Sequence, residues 1–249
     1  MCMPQSRSSQ PFLANHLLSG LPGETRSRLL PLLTPMTFIR GQILLETGIV
    51  NDHAFFITRG LVSYFDGAGA CTGATVGAEG LVGYSCLLSE RHMAFHQAIA
   101  QIGGSALRVS ASALRQLVVQ LPPLRDRLMR YIEAMMAQNA QLAACNAQHD
   151  LLARCTRWLL MAHDRAGGED LPFTHEYLST ILAAHRPAVT ATLCGLEREG
   201  LLDRRRGHIG VRDQAGLERA SCGCYRRIAH EFSRLLGNPF QDSTAAAAD

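Results

Sequence analysis

Residues 171–202 read LPFTHEYLSTILAAHRPAVTATLCGLEREGLL. Two apolar-periodic stretches lie a few residues apart here, each too short to hold as an isolated helix in water. The first has Thr174 as an N-cap and Glu176 in its opening turn, where a carboxylate suits the helix dipole. Phe173 before the cap and Leu178 four residues after it form a hydrophobic staple. The second opens on Arg186-Pro187, and proline at a first helical position gives up no hydrogen bond. Val189, Leu193 and Leu196, spaced i, i+4, i+7, predict its buried edge. Pro187, Thr190, Ala191, Cys194 and Arg198 make the opposite edge, which is small and uncluttered. A helix, a tight turn and a second helix that cover each other form a helix-turn-helix, and an uncluttered edge is what a DNA major groove about 12 Å wide admits.

The chain continues as GLLDRRRGHIGVRD over residues 200–213. This predicts a strand, a turn at Gly207 and a second strand, with Arg204, Arg205 and Arg206 at the approach to the tip. A basic hairpin after a helix-turn-helix is a wing whose arginines lie against phosphates. Every basic residue of the 249-residue chain is arginine, and the net charge is only +3. Its distribution is more telling. Between residues 186 and 212 six arginines face three carboxylates, whereas between 36 and 110 four arginines face five.

Upstream the texture changes twice. Residues 36–110 are brief runs rich in Ile, Val, Phe and Tyr, punctuated by glycine about every ten residues, which predicts an antiparallel barrel or sandwich. After Pro122-Pro123 comes a glycine-free stretch to residue 166. There Leu124, Leu128, Tyr131, Met135, Gln138, Leu142, Cys145, His149 and Leu152 recur at alternating steps of four and three. That predicts a long helix with a coiled-coil-like seam, and pairing with a second copy is the reading for its apolar edge. A break near Gln148-His149-Asp150 precedes another helix that ends at Gly167-Gly168.

With 47% hydrophobic and 18% charged residues, the composition is that of a protein burying a real core. No apolar run approaches the roughly 20 residues of a membrane span, and the N-terminus has no signal-peptide pattern, so a cytoplasmic location with no membrane partner is expected. The eight cysteines are scattered in a chain too large to need disulfides. The closest pair, Cys222 and Cys224, is C-x-C and has no companion at zinc-ribbon spacing, so reduced thiols and no metal are expected. His53, His92 and His96 could ligate a metal, but the reading is of scattered surface histidines. Without an H-x-H followed by Glu and His, a cupin-like metal-binding barrel enzyme is disfavoured, and no Ser/His/Asp or paired-carboxylate arrangement stands out. No catalytic residue is assigned, and the chain is not expected to be an enzyme.

In this order, barrel, long helix and winged helix, the chain resembles the Crp–Fnr superfamily of bacterial transcription regulators over about residues 16–228. FTHEYLSTILAAHRPAVTATLCGLEREGLLDRRRGHIGVRD, residues 173–213, resembles that family's T-x-E-x-L-A…R-x-x-V-T…L-x-x-x-G-L-I…R-G-x-I-x-I-x-D signature. The CGCY that follows resembles a tail common in one branch. The resemblance implies an α+β fold. An N-terminal cyclic-nucleotide-binding-like jelly-roll effector barrel would span 16–121, a dimerisation helix 122–148, and a winged helix-turn-helix 149–228. A C-terminal helix and a disordered tail would follow at 229–249. It implies a homodimer that binds two-fold-related operator halves on double-stranded DNA, and RNA polymerase as a further partner. Thr174 and His175 would touch phosphates, while Arg186, Pro187, Thr190 and Ala191 would face the groove, with Arg204, Arg205 and Arg206 on the backbone.

The effector barrel departs from the family's pattern. Cyclic-nucleotide binders carry roughly G-E-x-A-L…P-R-x-A, where the glutamate holds the ribose and the arginine the phosphate. Here residues 82–100 read VGYSCLLSERHMAFHQAIA. Gly83 remains, Tyr84 stands in the glutamate's place, and Arg91 is displaced from the arginine's. A buried phosphate without a charge partner is costly, so cyclic AMP is not expected. Nor is an iron–sulfur cluster, because of the N-terminal cysteines that branch needs only Cys2 is present. Gly83, Tyr84, Ser85, Arg91 and His96 remain the effector-pocket candidates for an unidentified signal. An effector-independent regulator, with the barrel as a brace, is the alternative.

Overall fold

The computed structural model describes residues 10–66, 71–89 and 93–240. Three short helices open it: α1 (Gln10–Leu13), α2 (His16–Ser19) and α3 (Gly23–Leu29). Asn15 fixes them in place. Its Oδ1 accepts from Leu18 N as the cap of α2, and its Nδ2 donates to the carbonyls of Ile57 and Gly80 at 2.7 and 2.9 Å. A fully buried amide thus has all its bonds made within the protein.

Six strands follow: β1 (Thr34–Phe38), β2 (Ile43–Leu45), β3 (His53–Phe65), β4 (Cys71–Val76), β5 (Leu81–Val82) and β6 (Gln97–Ser110). All pair antiparallel in one sheet of order β1-β6-β3-β4, with β2 on β6 and β5 on β3. Not every strand is as brief as expected, since β3 and β6 are long and pair along their lengths. Their register shifts three times between Ile57 and Val62. There Gly60 takes φ +99°, and a Cβ on Gly104 would lie 2.0 Å from the Arg59 carbonyl oxygen. Bulges of this kind bend a strand pair, and glycine at both positions lets the backbones approach. The bent sheet encloses Phe56, Leu61, Leu81 and Ala98, all fully buried.

Ser110 caps α4 (Ala111–Gln120), and Pro122 begins the 27-residue α5 (Pro122–Gln148). Asp150 caps α6 (Leu151–Arg165), so the chain breaks at His149-Asp150. The predicted seam of α5 is satisfied differently from the expectation. Leu124, Leu128, Tyr131, Met135, Gln138, Leu142 and Cys145 are all buried within the single chain. They face the barrel and a C-terminal helix, α10 (Cys224–Leu236). Periodicity identified the buried side of the helix but not what buries it. Exposed apolar side chains of α5 lie elsewhere, at Met129 and Met136. The last helix begins at Cys224, five residues ahead of the expected 229, and residues 241–249 lie outside the described residues. No helix among the described residues is long and apolar enough to cross a membrane.

The barrel, α5, α6 and α10 meet at one buried ion pair. Arg165 Nε donates to Glu79 Oε1 at 2.7 Å, with side chains 1% and 2% exposed. Arg165 also donates to the Met161 carbonyl and to Gln138 Oε1, while Gly77 N donates to the second Glu79 oxygen. The guanidinium lies over the rings of Phe232 and Phe240 at 5.7 and 5.0 Å.

Candidate nucleic-acid interface

The C-terminal unit consists of α6, α7 (His175–Ile181), α8 (Arg186–Arg198), the hairpin β7 (Leu202–Arg205) and β8 (His208–Val211), and α9 (Gln214–Ala220). Thr174 Oγ1 accepts from Tyr177 N at 3.1 Å as the N-cap of α7, and Phe173 and Leu178 are both buried. The turn between α7 and α8 puts Ala183 at φ +46°, a left-handed conformation that a side chain resists. Val189, Leu193 and Leu196 are the buried edge of α8. Arg186, Pro187, Ala191 and Arg198 are on its other side, all four exposed, with Thr190 and Cys194 half-buried. No side chain caps α8; Pro187 has no N–H to satisfy, and the N–H groups of Ala188 and Val189 donate to the His185 carbonyl.

The sequence-assigned residues sort into two groups. Arg186 is 66% exposed, with Glu176 4.0 Å away, and Arg205 and Arg206 are exposed at the hairpin tip. Thr190 and Arg204 are instead committed inside the unit. Thr190 Oγ1 shares a 3.0 Å hydrogen bond with His175 Nδ1, joining α7 to α8. Arg204 turns back to the carboxylate of Glu197 on α8, its Nε donating to Oε2 at 2.9 Å, and that bond holds the Glu197 carboxyl below the usual carboxylate range. Strand side chains alternate, so Arg204 and Arg205 point to opposite faces. Burial, with the Arg204 and Arg186 guanidinia nearby, pushes the His175 pKa down, so at neutral pH it is an uncharged hydrogen-bonding partner. Asp203 meanwhile pairs with both Arg205 and Arg212.

Gly83, at φ +90°, leads into a short 3₁₀ turn over Tyr84–Leu87. The rings of Tyr64, Tyr84 and Tyr131 meet edge-on there, with centroids 6.4 and 6.2 Å apart. Tyr131, from α5, donates to the Leu81 carbonyl at 3.1 Å. His96 is exposed, its ring edge-on to Tyr64, and Ser85 is half-buried. Arg91 and His92 lie outside the described residues. Aromatic rings from three elements therefore pack together around Tyr84. The sequence singled out Tyr84 but had no signal for Tyr131 arriving beside it from the long helix.

No curated protein matches the chain by sequence. A family model described as a Crp-like helix-turn-helix domain matches residues 153–220. Among solved structures, a transcriptional regulator of the Crp/Fnr family from Eubacterium rectale is similar at TM-score 0.63 and 18% identity, over 82% of this chain and 96% of that one. TTHB099, a Crp-family regulator of Thermus thermophilus, is similar at 0.62 and 21%, over 75% and 96%. FixK2 from Bradyrhizobium japonicum is similar at 0.60 and 19%, over 76% and 98%. A mixed helix-and-sheet architecture with a half-exposed α8 beside a basic hairpin accords with both comparisons. The chain has the fold of the Crp/Fnr-type DNA-binding transcription regulators, and its residues 153–220 match the Crp-like helix-turn-helix domain.

Proposed function

We propose that this chain is a homodimeric, sequence-specific transcription regulator that inserts α8 into successive major grooves of a two-fold-related operator. One observation carries the reading: the exposed edge of α8, Arg186-Pro187 and Ala191, lies in the same small unit as the exposed Arg205 and Arg206. Arg186 reads a guanine through a bidentate contact, and Pro187 and Ala191 meet thymine methyls. Arg205 and Arg206 hold phosphates, as do the Thr174 hydroxyl and His175. Thr190 and Arg204 set the angle of α8 from within, in place of touching DNA. For the dimer, Met129, Met136 and Ala143 recur at sevens on the side of α5 away from its buried seam, the heptad spacing of a helix pair. RNA polymerase is the downstream partner, and the site of action is the cytoplasm, where bacterial DNA resides. The signal is something other than cyclic AMP, because Tyr84 with Tyr64 and Tyr131 offers rings and hydroxyls in place of a carboxylate. The same packed rings also favour a second reading, a barrel that braces the dimer without an effector.

Selection of bound duplexes from a random pool tests this directly. The expected motif has two inverted halves about 10 base pairs apart, centre to centre. Arg186→Ala should weaken binding to it by about 1–3 kcal/mol and relax preference at one guanine. A pool that shows no enrichment at low salt, with no binding to any duplex, would refute the proposal.

A further inference from the structure

Four potential ligands converge away from the DNA-reading edge. Cys145 is in the last turn of α5, His149 follows its end, Cys222 lies between α9 and α10, and Cys224 opens α10. Their ligand atoms (three sulfurs and a ring nitrogen) all lie within 4.8 Å of one another. Cys145 Sγ is 3.5 Å from Cys222 Sγ, and Cys224 Sγ is 3.6 Å from His149 Nδ1. A disulfide would need about 2.05 Å between sulfurs. Around a tetrahedral zinc, with Zn–S near 2.3 Å and Zn–N near 2.0 Å, ligand atoms stand about 3.5–3.8 Å apart. The two measured edges match that spacing, and small side-chain rotations close the longest one. The group is too tight to enclose a multi-iron cluster, and its soft sulfur-rich donors suit zinc over a hard cation.

The surroundings add independent support. Gln141 Nε2 approaches Cys224 Sγ at 3.0 Å, the kind of outer hydrogen bond that orients a ligating sulfur. Arg157 is 2% exposed, and its Nε and one terminal nitrogen lack hydrogen-bond partners. Among the described residues it has no carboxylate within salt-bridge distance, and its remaining bond is to Asn146 Oδ1. Its charge acts on Cys145. Three thiolates and one histidine around a dication carry a net charge of −1, and Arg157 is the buried cation that balances it.

We propose that Cys145, His149, Cys222 and Cys224 form a structural zinc site that ties the end of α5 to the start of α10 across the α5–α6 break. On binding, three thiol protons leave to solvent and the metal keeps its oxidation state, so the step involves no redox chemistry. The site depends neither on DNA binding nor on any effector.

The test is metal content and spectroscopy on the full chain, purified under reducing conditions without chelator. Elemental analysis should return one zinc per chain. Replacement by Co(II) should give the thiolate-to-cobalt charge-transfer and tetrahedral ligand-field bands of a sulfur-rich site. Stripping the metal should expose three further thiols to a thiol reagent and lower Tm. Cys222→Ser and His149→Ala should lose the metal, whereas Cys71→Ser, in the barrel, should keep it. The proposal is overturned if the wild-type chain takes up neither zinc nor cobalt, if Cys222→Ser and Cys224→Ser both retain the metal, or if mass spectrometry finds Cys145 and Cys222 joined as a disulfide.

Discussion

The pair Glu79–Arg165 provides a sharp test of the energetics, because the protein contains its own control. Arg59 and Glu169 also meet at 2.7 Å, but their side chains are 71% and 63% exposed against 1% and 2% for Arg165 and Glu79. Equal distance with opposite burial isolates the role of solvent. Glu79→Gln keeps the shape and a hydrogen-bond acceptor for Arg165 while removing the charge, and leaves the guanidinium buried against Phe232, Phe240 and Gln138. Removing one partner of a buried pair costs about 3–5 kcal/mol. Glu169→Gln removes the exposed pair, where solvent screening leaves about 0–1 kcal/mol. The double substitution Glu79→Gln/Arg165→Met replaces the stranded charge by an apolar chain and should recover much of the first loss. Urea unfolding followed through the single tryptophan, the buried Trp158 of α6, reads all three variants. If Glu79→Gln and Glu169→Gln shift the midpoint equally, or the double variant is as unstable as the sum of its parts, burial is not what gives this pair its weight.

Other consequences are equally direct. Ala183→Gly relieves a left-handed alanine in the turn of the helix-turn-helix and should raise stability by about 0.5–1 kcal/mol in chemical denaturation, with DNA affinity unchanged. Arg205→Ala/Arg206→Ala should weaken binding to all sequences alike, and reduce the salt slope by about 2 per chain at roughly 0.9 per phosphate contact. The Asp164 carboxyl is pushed up to about 6, chiefly by burial, while the hydroxyl of Tyr225 bonded to it at 2.9 Å opposes the shift. The folded state therefore holds this proton more tightly than an unfolded chain does. Stability is fullest below about pH 4 for this group and falls as pH rises toward 6, by about 1–2 kcal/mol once partial solvation is allowed for. Asp164→Asn should flatten that limb of the pH–stability curve, and an unchanged slope between pH 4 and 6 would count against the assignment.

The reading unit was legible in the sequence because its signals are local. The Thr174 cap, Pro187, the Val189-Leu193-Leu196 edge and Gly207 each act within a turn or two, and no distant contact overrides them. The antiparallel sheet was legible from its glycines, but the length of β3 and β6 was not. Gly60 looks like a turn in a sequence, whereas here it sits at a bulge, opposite Gly104, that lets one strand continue past a bend. The seam of α5 was correctly found as the buried face and wrongly given to a second copy, since helical periodicity carries no information about the covering partner. Arg204 could have been separated from Arg205 by strand alternation alone. The sulfur cluster is a different matter. Cys145 and Cys222 are 77 residues apart, and nothing in either local spacing points to the other.

Arg40, in the turn between β1 and β2, donates to the Pro172 carbonyl at 2.6 Å and lies over the rings of Phe173 and Tyr177. Phe173 adjoins the Thr174 cap, and His175 bonds Thr190 on α8. Four consecutive residues, 172–175, therefore run from a contact with the barrel to a contact with α8. The Arg40 latch consists of one hydrogen bond and two ring contacts, of order 1–2 kcal/mol together. A displacement of the barrel turn that broke these contacts would therefore cut the barrel's hold on the very segment that carries the α7 cap and the His175–Thr190 bond.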